Sequence, residues 1–406
     1  MVNNEAGKIQ YSNTTLKIGS RMVEDEIGLL RYIYLTNLLT SITFGTAIYL
    51  IPVFAEGLGA SFLDLGIIGA VGNALYTIST LVSGFLLDRL ERVRFYLSFS
   101  ILGSMIVLVL STTTRVSEVV IVRGFIGLVS AAFWVSASTL ITDISPPELL
   151  SISIGRYNLS WIIAFIVGPF LGGIISDAYG FPALFVLLFI LGVVSFAIIL
   201  WRLFSRVRSR NRDRNRRFDL SVLKGLYPAY FALIPYAVVL GIYMAILPGH
   251  MKGLGITSSM VGMLLTISNG FRGLGFLGVR RFVSWGVGKS LFVASILMCV
   301  ALSMVVYSVD APGFLLPLAI IGLAGGIVTP VILDYIAHRT PSDALGTAMG
   351  VHEAVYGFGM CVGPVVGGLI ADAFGPSPLY ISLAFLSLFM LPFSRSLAKE
   401  YSKRDS

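Results

Sequence analysis

Four charged side chains lie inside long apolar stretches of this sequence, where a charge is costly to bury. They are Arg123, Arg272, Asp334 and Glu353. At the centre of a lipid bilayer an unpaired charge costs about 2.5–3.5 kcal/mol even on the most lenient scale, so each group needs a partner, access to water or a function. Side chains of this kind bind polar ligands or carry protons across membranes.

Glu353 is the candidate for proton exchange. A carboxyl group that is partly removed from water can take up and release protons near neutral pH. The imidazole of His352 beside it can assist this exchange or bind substrate. A permanent structural ion pair is the alternative for Glu353. The other polar candidates, Asp334, Asp143 and His338, are interpreted as charges at helix ends or in a latch, a contact that favours one conformation.

Arg272 is the candidate for substrate binding. A guanidinium group binds carboxylates and phosphates through paired hydrogen bonds, which suits a substrate that carries either group. An internal salt bridge to Glu353 is the alternative, and the two interpretations stay open. Arg123 has an alternative structural role as well, in which it holds backbone carbonyl groups or Glu118 in place.

The composition places these residues in a membrane protein. Of 406 residues, 56% are hydrophobic and 12% are charged, and the mean hydropathy is +0.88. Apolar runs of roughly 20 residues separated by short polar breaks predict transmembrane helices and exclude the alternating pattern of an outer-membrane barrel. We predict about twelve spans, at 28–54, 62–87, 95–113, 117–140, 154–177, 182–204, 226–250, 259–282, 289–309, 314–337, 346–371 and 378–397.

Basic residues concentrate in every second break between these spans. The breaks on one side hold Arg31, Arg89, Arg92, Arg94, Arg156, Lys224, Arg280, Arg281, Lys289 and Arg339, together with the arginines of 202–217. The opposite breaks hold Arg115 and Lys252. Because positively charged loops stay in the cytoplasm, we expect a multi-pass protein of the cell membrane with both termini and the central loop cytoplasmic.

The chain is an internal duplication. At a shift of 196 positions, Pro52 falls on Pro248 and Asn73 on Asn269. A Gly-Pro-x-x-Gly-Gly block also occurs twice with nearly the same spacing, and its members are Gly168, Pro169, Gly172 and Gly173, then Gly363, Pro364, Gly367 and Gly368. The charged candidates break the symmetry, because Tyr76 matches Arg272 and Asn158 matches Glu353.

This duplication predicts a domain plan. The segments are a cytoplasmic tail at 1–27, a six-helix bundle at 28–204, a basic cytoplasmic linker at 205–225, a second six-helix bundle at 226–397 and a cytoplasmic tail at 398–406. A block of arginines such as the linker is typical of a solvated segment lying along anionic lipid. No aromatic residue separates the arginines before Phe218, which disfavours stacking on nucleic acid.

Three motifs carry a family resemblance. The segment from Gly84 to Arg92, with Asp88 and Arg89 in it, resembles the cytoplasmic loop motif of the major facilitator superfamily. Arg123-Gly124-Phe125-Ile126-Gly127 resembles the fourth-helix motif of that superfamily. The Gly-Pro-x-x-Gly-Gly blocks resemble its fifth-helix motif, most closely that of the drug/proton antiporter branches. The resemblance implies that Arg123 is coupled to proton movement.

The loop motif is interpreted as a conformational latch built from Gly84, Asp88, Arg89 and Arg92. A carboxylate at a helix end can pair with loop arginines or accept backbone N–H groups from the other bundle, which favours one of two bundle orientations. The positive charge that is typical of a cytoplasmic loop explains the arginines but not Asp88.

The Gly-Pro-x-x-Gly-Gly blocks are interpreted as helix breaks. Proline lacks an N–H group and glycine lacks a Cβ, so we expect a kink and close packing. Paired interrupted helices at matching places mark a central binding site. The predicted substrate-binding residues are Arg272, Tyr76, Asn73, Asn158, Trp161, Asn269 and Tyr356.

These features predict an all-α polytopic membrane protein with two six-helix bundles, in which the duplication places one binding site between the bundles. The predicted function is secondary transport of a small organic solute by alternating access, as proton-coupled export, with Glu353, Arg123 and His352 coupling protons. The first alternative is uptake or exchange of an organic anion through Arg272 and Arg123. The second is a non-transporting receptor or lipid-handling protein.

We expect no cofactor, metal or enzymatic activity. The run from His352 to Tyr356 lacks the second histidine of a zinc-protease helix, and Gly288-Lys289-Ser290 lacks the first glycine of a phosphate-binding loop. The expected partners are a small-molecule solute, protons and membrane lipid, without nucleic acid, and we expect a monomer.

Overall fold

A computed structural model describes residues 5–87, 90–146, 149–204, 224–341 and 344–402. In these ranges the regular structure is helical, and the α-helices are α1 (Glu5–Gly57), α2 (Phe62–Leu86), α3 (Arg92–Val109), α4 (Val116–Ile144), α5 (Leu150–Ile198), α6 (Tyr227–Ala245), α7 (Leu247–Gly253), α8 (Ser258–Leu277), α9 (Val279–Trp285), α10 (Val287–Val305), α11 (Ala311–Arg339), α12 (Leu345–Phe374), α13 (Pro376–Leu388) and α14 (Met390–Ser402). Most of the predicted basic linker lies outside the described residues, so its contact with lipid stays a prediction.

Twelve membrane spans follow from these helices. Eleven described helical segments are long and apolar enough to cross a membrane. One of them, Leu150–Leu203, has 54 residues, which at 1.5 Å per residue is about 80 Å and far exceeds a hydrocarbon core of about 30 Å. It divides into two spans at Gly180, whose φ of 83° is outside helical geometry. Gly375, with φ 87°, makes the matching turn between α12 and α13.

The spans run alternately between two faces of the molecule. We call one the turn face, because the short turns at 58–61, 113–115 and 254–257 lie there together with Gly180 and Gly375. On the opposite face, which we call the linker face, α2, α4 and α11 end and α3, α5, α6 and α12 begin. These names do not depend on which face is cytoplasmic.

The two halves of the chain meet along two matching interfaces. Helix α2 of the first half packs against α12 of the second, and α5 packs against α8. A Cβ on Gly66 would overlap the carbonyl oxygen of Pro364, and a Cβ on Gly262 would overlap that of Pro169. Both contacts lie toward the turn face, so small residues at duplicated positions let the backbones approach there.

The Gly-Pro-x-x-Gly-Gly blocks do not break their helices, and the predicted interruption is wrong in this respect. Helix α5 runs through Pro169 and α12 runs through Pro364. The close packing that was predicted with the break is present: Gly173 lies against Ser258, and Gly368 against Phe62, in the opposite half. Since the opposite half supplies packing and hydrogen bonds at both prolines, the helices can continue. The remaining glycines of the blocks, Gly168, Gly172, Gly363 and Gly367, pack against α1 or α6 of their own half.

Two aspartates join the halves at the turn face. The carboxylate of Asp177, in α5, accepts the backbone N–H groups of Ser258 at 3.0 Å and Ser259 at 2.7 Å, at the start of α8. The carboxylate of Asp372, in α12, accepts those of Phe62 at 2.9 Å and Leu63 at 3.0 Å, at the start of α2. We call these the aspartate caps. Each satisfies free N–H groups of a helix in the other half, with a charge that the helix dipole favours.

Toward the linker face the halves separate. A Cβ added to Gly155 in α5, or to Gly346 and Gly350 in α12, would meet no heavy atom within 4 Å. The molecule is therefore closed at the turn face and open toward the linker face. This is one of the two orientations that alternating access requires.

Candidate functional site

A central cavity of about 320 Å³ lies between the two halves. Its volume is at the lower end of the range typical of small-molecule sites. Its wall combines residues of α1, α2, α4, α5, α6, α8 and α12, so both halves contribute. Aromatic rings form much of it, and they belong to Tyr49, Tyr76, Trp134, Tyr157, Trp161, Phe165, Phe276 and Tyr356.

Most of the predicted site residues lie on this wall. Arg123, Arg272, Glu353, Tyr76, Asn73, Trp161, Asn269 and Tyr356 all line the cavity. Asn158 does not line the cavity, and its amide oxygen accepts the indole N–H group of Trp161 at 3.2 Å. His352 is also outside the wall, and its side chain is only 3% exposed.

Arg272 is held by aromatic side chains. Its guanidinium group is hydrogen bonded to the side chain of Tyr356, and it lies 5.6 Å from the ring centroid of Phe276. Its Nε atom has no hydrogen-bond partner among the described residues. The salt bridge to Glu353 that was the alternative role of Arg272 does not form, because the carboxylate of Glu353 instead contacts His352.

Arg123 lies deep in the wall on α4. Its Nη2 atom donates to Oδ1 of Asn73 at 3.4 Å, and its Nη1 atom has no partner among the described residues. A side chain at Gly72 would overlap the guanidinium group. Glu118 is not held by Arg123, since it accepts the backbone N–H groups of Thr114 and Arg115 instead.

Glu353 and His352 form a pair in which one member faces the cavity and the other is buried. Oε1 of Glu353 lies 3.2 Å from Nδ1 of His352, and the Glu353 side chain is 50% exposed. The His352 ring stacks on Tyr356 at a centroid distance of 6.0 Å, and its Nε2 atom has no partner among the described residues. The carboxyl of Glu353 is thus both open to the cavity and in contact with the buried imidazole.

The charges on the described wall do not balance. Two guanidinium groups, of Arg123 and Arg272, share the cavity with one carboxylate, that of Glu353. When Glu353 is ionised the wall carries a net charge of about +1, and protonation of Glu353 raises this to about +2. The affinity of the cavity for a charged solute therefore depends on the protonation of Glu353.

Of the predicted latch, Gly84 and Arg92 are described, and both lie toward the linker face. Asp88 and Arg89 lie outside the described residues, so the proposed contact of Asp88 stays a prediction. Arg92 forms a buried ion pair with Asp143 of α4. This contact stays within the first half of the chain, where it fixes the start of α3 to the end of α4. A Cβ on Gly84 would meet no heavy atom within 4 Å.

Several residues of the wall and of the interface were not predicted. The cavity is also lined by Tyr157, Phe165 and Phe276. The sequence alone does not distinguish an aromatic residue that packs between helices from one that lines a site. The caps of Asp177 and Asp372 had a readable signal. An acid follows each Gly-Pro-x-x-Gly-Gly block at the same distance and precedes a glycine turn in both halves.

Comparisons with known proteins agree with this architecture. The sequence profile of the Major Facilitator Superfamily matches residues 33–231 and 229–405. An uncharacterized MFS-type transporter of Methanocaldococcus jannaschii is 24% identical over 88% of this chain and 94% of its own length. The multi-drug resistance efflux pump PmrA of Streptococcus pneumoniae is 24% identical over 91% of this chain and 97% of its own.

Solved structures show the same fold at lower identity. The crystal structure of a mutant of the nucleoside transporter NupG superposes with a TM-score of 0.77 at 13% identity, over 91% of this chain and 99% of that one. Because the family profile matches both halves of the sequence, this protein belongs to the Major Facilitator Superfamily: it is a multi-pass membrane protein that moves small molecules by secondary transport and is not an enzyme.

Proposed function

We propose that this transporter exports a small organic solute in exchange for protons. The observation that carries the proposal is the position of Glu353, whose carboxyl is half exposed on the cavity wall beside buried His352. No acidic residue occurs in the first predicted span, so Glu353 takes the coupling role in this chain. The similarity to a multidrug efflux pump supports export as the direction.

Exchange follows if the solute and the proton compete for one site. With the cavity open to the cytoplasm, the solute binds the form in which Glu353 is ionised, and the proton leaves to the cytoplasm. With the cavity open to the outside, protonation of Glu353 weakens solute binding and the solute leaves. Each ligand shifts the two orientations only through its different affinity for them.

The proposed topology places the linker face in the cytoplasm. Most of the described basic residues of the predicted breaks lie toward this face, whereas Arg115 and Lys252 lie toward the turn face. The positive-inside rule assigns the more basic side to the cytoplasm. We further propose that the bundles are bounded as 28–204 and 226–397, that the basic linker contacts lipid, and that the protein acts as a monomer. One chain contributes the whole cavity wall described above, which supports the monomer.

Transport into acidified vesicles tests the proposed exchange. In proteoliposomes with an acidic lumen and a clamped membrane potential, we expect a fluorescent aromatic cation such as ethidium to accumulate, because protons leaving the lumen drive the solute in. A proton ionophore should abolish this accumulation, and protein-free liposomes are the control. Equal accumulation with and without the pH gradient would contradict the proposal.

A second candidate function is uptake or exchange of an organic anion. The observation that favours it is the pair of guanidinium groups without a carboxylate partner among the described residues, Arg123 and Arg272. A carboxylate or phosphate on a flat organic molecule would pair with Arg272 while aromatic side chains cover its ring. For such a solute the proton and the substrate would move in the same direction. Protonation of Glu353 removes a negative charge that repels the anion, so the proton and the anion bind together.

Ligand-induced thermal stabilisation separates these two functions. A ligand present at 100 times its dissociation constant stabilises the native state by about 2.7 kcal/mol, which raises the melting temperature. If the solute is an anion, benzoate or a small phosphate ester should stabilise the wild type, and Arg272→Ala should lose the effect. Arg94→Ala is the matched control, since it removes an exposed guanidinium that pairs with Glu91 outside the cavity. Stabilisation by ethidium alone would rule out the anion.

A further inference from the structure

Two buried asparagines make hydrogen bonds from one half of the protein to the other. Asn73 in α2 donates from Nδ2 to the carbonyl oxygen of Met360 in α12, at 2.9 Å. Asn269 in α8 donates from Nδ2 to the carbonyl oxygen of Phe165 in α5, at 3.3 Å, and also to Leu265 of its own helix. The two asparagines are 196 residues apart, so the duplication places one such bond in each interface.

Both accepting carbonyl groups are ones that helix geometry leaves without an N–H partner. In an α-helix the N–H group of each residue bonds to the carbonyl four residues earlier. Met360 lies four residues before Pro364, and Phe165 lies four residues before Pro169. Since proline has no N–H group, both carbonyls need another donor inside the membrane. Each proline therefore creates the acceptor that an asparagine of the opposite half uses.

These bonds lie at the boundary between the closed and the open parts of each interface. On the side of the turn face, Gly66 and Gly262 contact the backbone of the opposite half. On the side of the linker face, contact continues for one further turn, where Gly357 lies against Thr77. Beyond that turn, Gly350 of α12 has no neighbour within 4 Å of a Cβ position.

We propose that the bonds Asn73–Met360 and Asn269–Phe165 are pivot contacts, about which the two halves rock and which persist in both orientations. When two rigid bodies rock against each other, contacts far from the axis break and contacts at the axis are kept. The aspartate caps are far from this boundary and break when the turn face opens. The proposal needs secondary transport but not proton coupling, so it stands or falls separately from the proposed exchange.

The pivot contacts also position two polar groups of the cavity. Oδ1 of Asn73 accepts from Arg123 at 3.4 Å, and Oδ1 of Asn269 accepts from the hydroxyl of Tyr49 at 3.1 Å. A group attached to the axis keeps its place while the surrounding helices move. Asn73 and Asn269 are thus positioning residues that hold one cavity group each in both orientations.

A double-mutant cycle tests whether the proline creates the acceptor. In Pro364→Ala the new N–H group can bond to Met360 within α12, so the amide of Asn73 is no longer required there. Asn73→Ala should therefore lower the melting temperature clearly less in the Pro364→Ala background than in the wild type. Asn73→Ala combined with Pro169→Ala, in the other interface, is the matched control and should be additive. Additivity of Asn73→Ala and Pro364→Ala would overturn the assignment of the bond.

Accessibility of a buried cysteine tests whether the bonds are pivots. Ile68 lies on the turn-face side of the site and is 1% exposed. Ile68→Cys is made in a protein whose two cysteines are replaced by Cys299→Ser and Cys361→Ser. The rate at which this single cysteine reacts with a maleimide then reports opening of the turn face. We expect Asn73→Ala to leave the maleimide reaction rate within about twofold of the parent protein, while solute turnover falls. We expect Asp372→Ala to raise the reaction rate about fivefold, because it removes about 1 kcal/mol of stabilisation from the closed turn face. A rise in Asn73→Ala equal to that in Asp372→Ala would overturn the pivot.

Discussion

Transport driven by a pH gradient is expected to fall to the level of protein-free liposomes when Glu353 is replaced by glutamine. Glutamine keeps the size and the hydrogen-bonding capacity of the side chain but cannot take up or release a proton. Glu353 is the one carboxylate on the described cavity wall, so we expect no other group there to replace it. The measurement is ethidium accumulation in proteoliposomes at several imposed pH gradients.

The same Glu353→Gln variant should still exchange ethidium across the membrane when no gradient is present, which shows that it folds and binds. Asp334→Asn is the control, because Asp334 lies on α11 near the linker face and pairs with exposed His338 instead of facing the cavity. It should keep its response to the gradient. A Glu353→Gln protein that still responds to the gradient would remove Glu353 from the coupling role.

Removing both aspartate caps is expected to shift the protein strongly toward the orientation that is open at the turn face. Each carboxylate of Asp177 and Asp372 accepts two backbone N–H groups of the opposite half. Hydrogen bonds to a charged group are worth about 1.5–3 kcal/mol, which we reduce to about 1 kcal/mol per cap for exposure to solvent. The two sites lie in separate interfaces, so their effects should add to about 2 kcal/mol, or roughly 30-fold in the equilibrium.

The maleimide reaction of Ile68→Cys measures this shift in the Asp177→Ala/Asp372→Ala protein. Asp310→Ala is the matched control, since Asp310 caps the start of α11 within its own half, through the N–H group of Gly313 at 2.9 Å. It should lower the melting temperature without changing the rate of the cysteine reaction. If the double variant reacts no faster than Asp310→Ala, the caps do not hold the turn face closed.

The sequence was informative where the duplication repeats a residue. The spans follow from apolar runs, and the twelve that were predicted agree with the helices because length and hydropathy decide membrane insertion. Asn73 and Asn269, which the duplication matches, each donate a hydrogen bond to the opposite half. The sequence could not indicate their acceptors, because a carbonyl freed by proline becomes visible as a partner only when the opposite helix is in place.

Side-chain direction explains most of the differences between the predicted site and the observed one. His352 and Glu353 are adjacent, yet successive residues on a helix point about 100° apart, so one faces the cavity and the other is buried. Tyr157 and Trp161, four residues apart on α5, line the cavity, whereas Asn158 points about 100° away from Tyr157 and does not. The alternative pairing of Arg272 with Glu353 was wrong because the phenol of Tyr356 and the imidazole of His352 are closer partners. None of these distances can be read from residue spacing.

The proton-coupling role of Glu353 can be tested by measuring the protons released when a solute binds the purified, detergent-solubilised protein in weakly buffered solution. If Glu353 couples export to proton entry, ethidium should release protons from the wild type and none from Glu353→Gln. Release of the same number of protons by Glu353→Gln, or solute binding to the wild type without any proton release at any pH, would contradict the account.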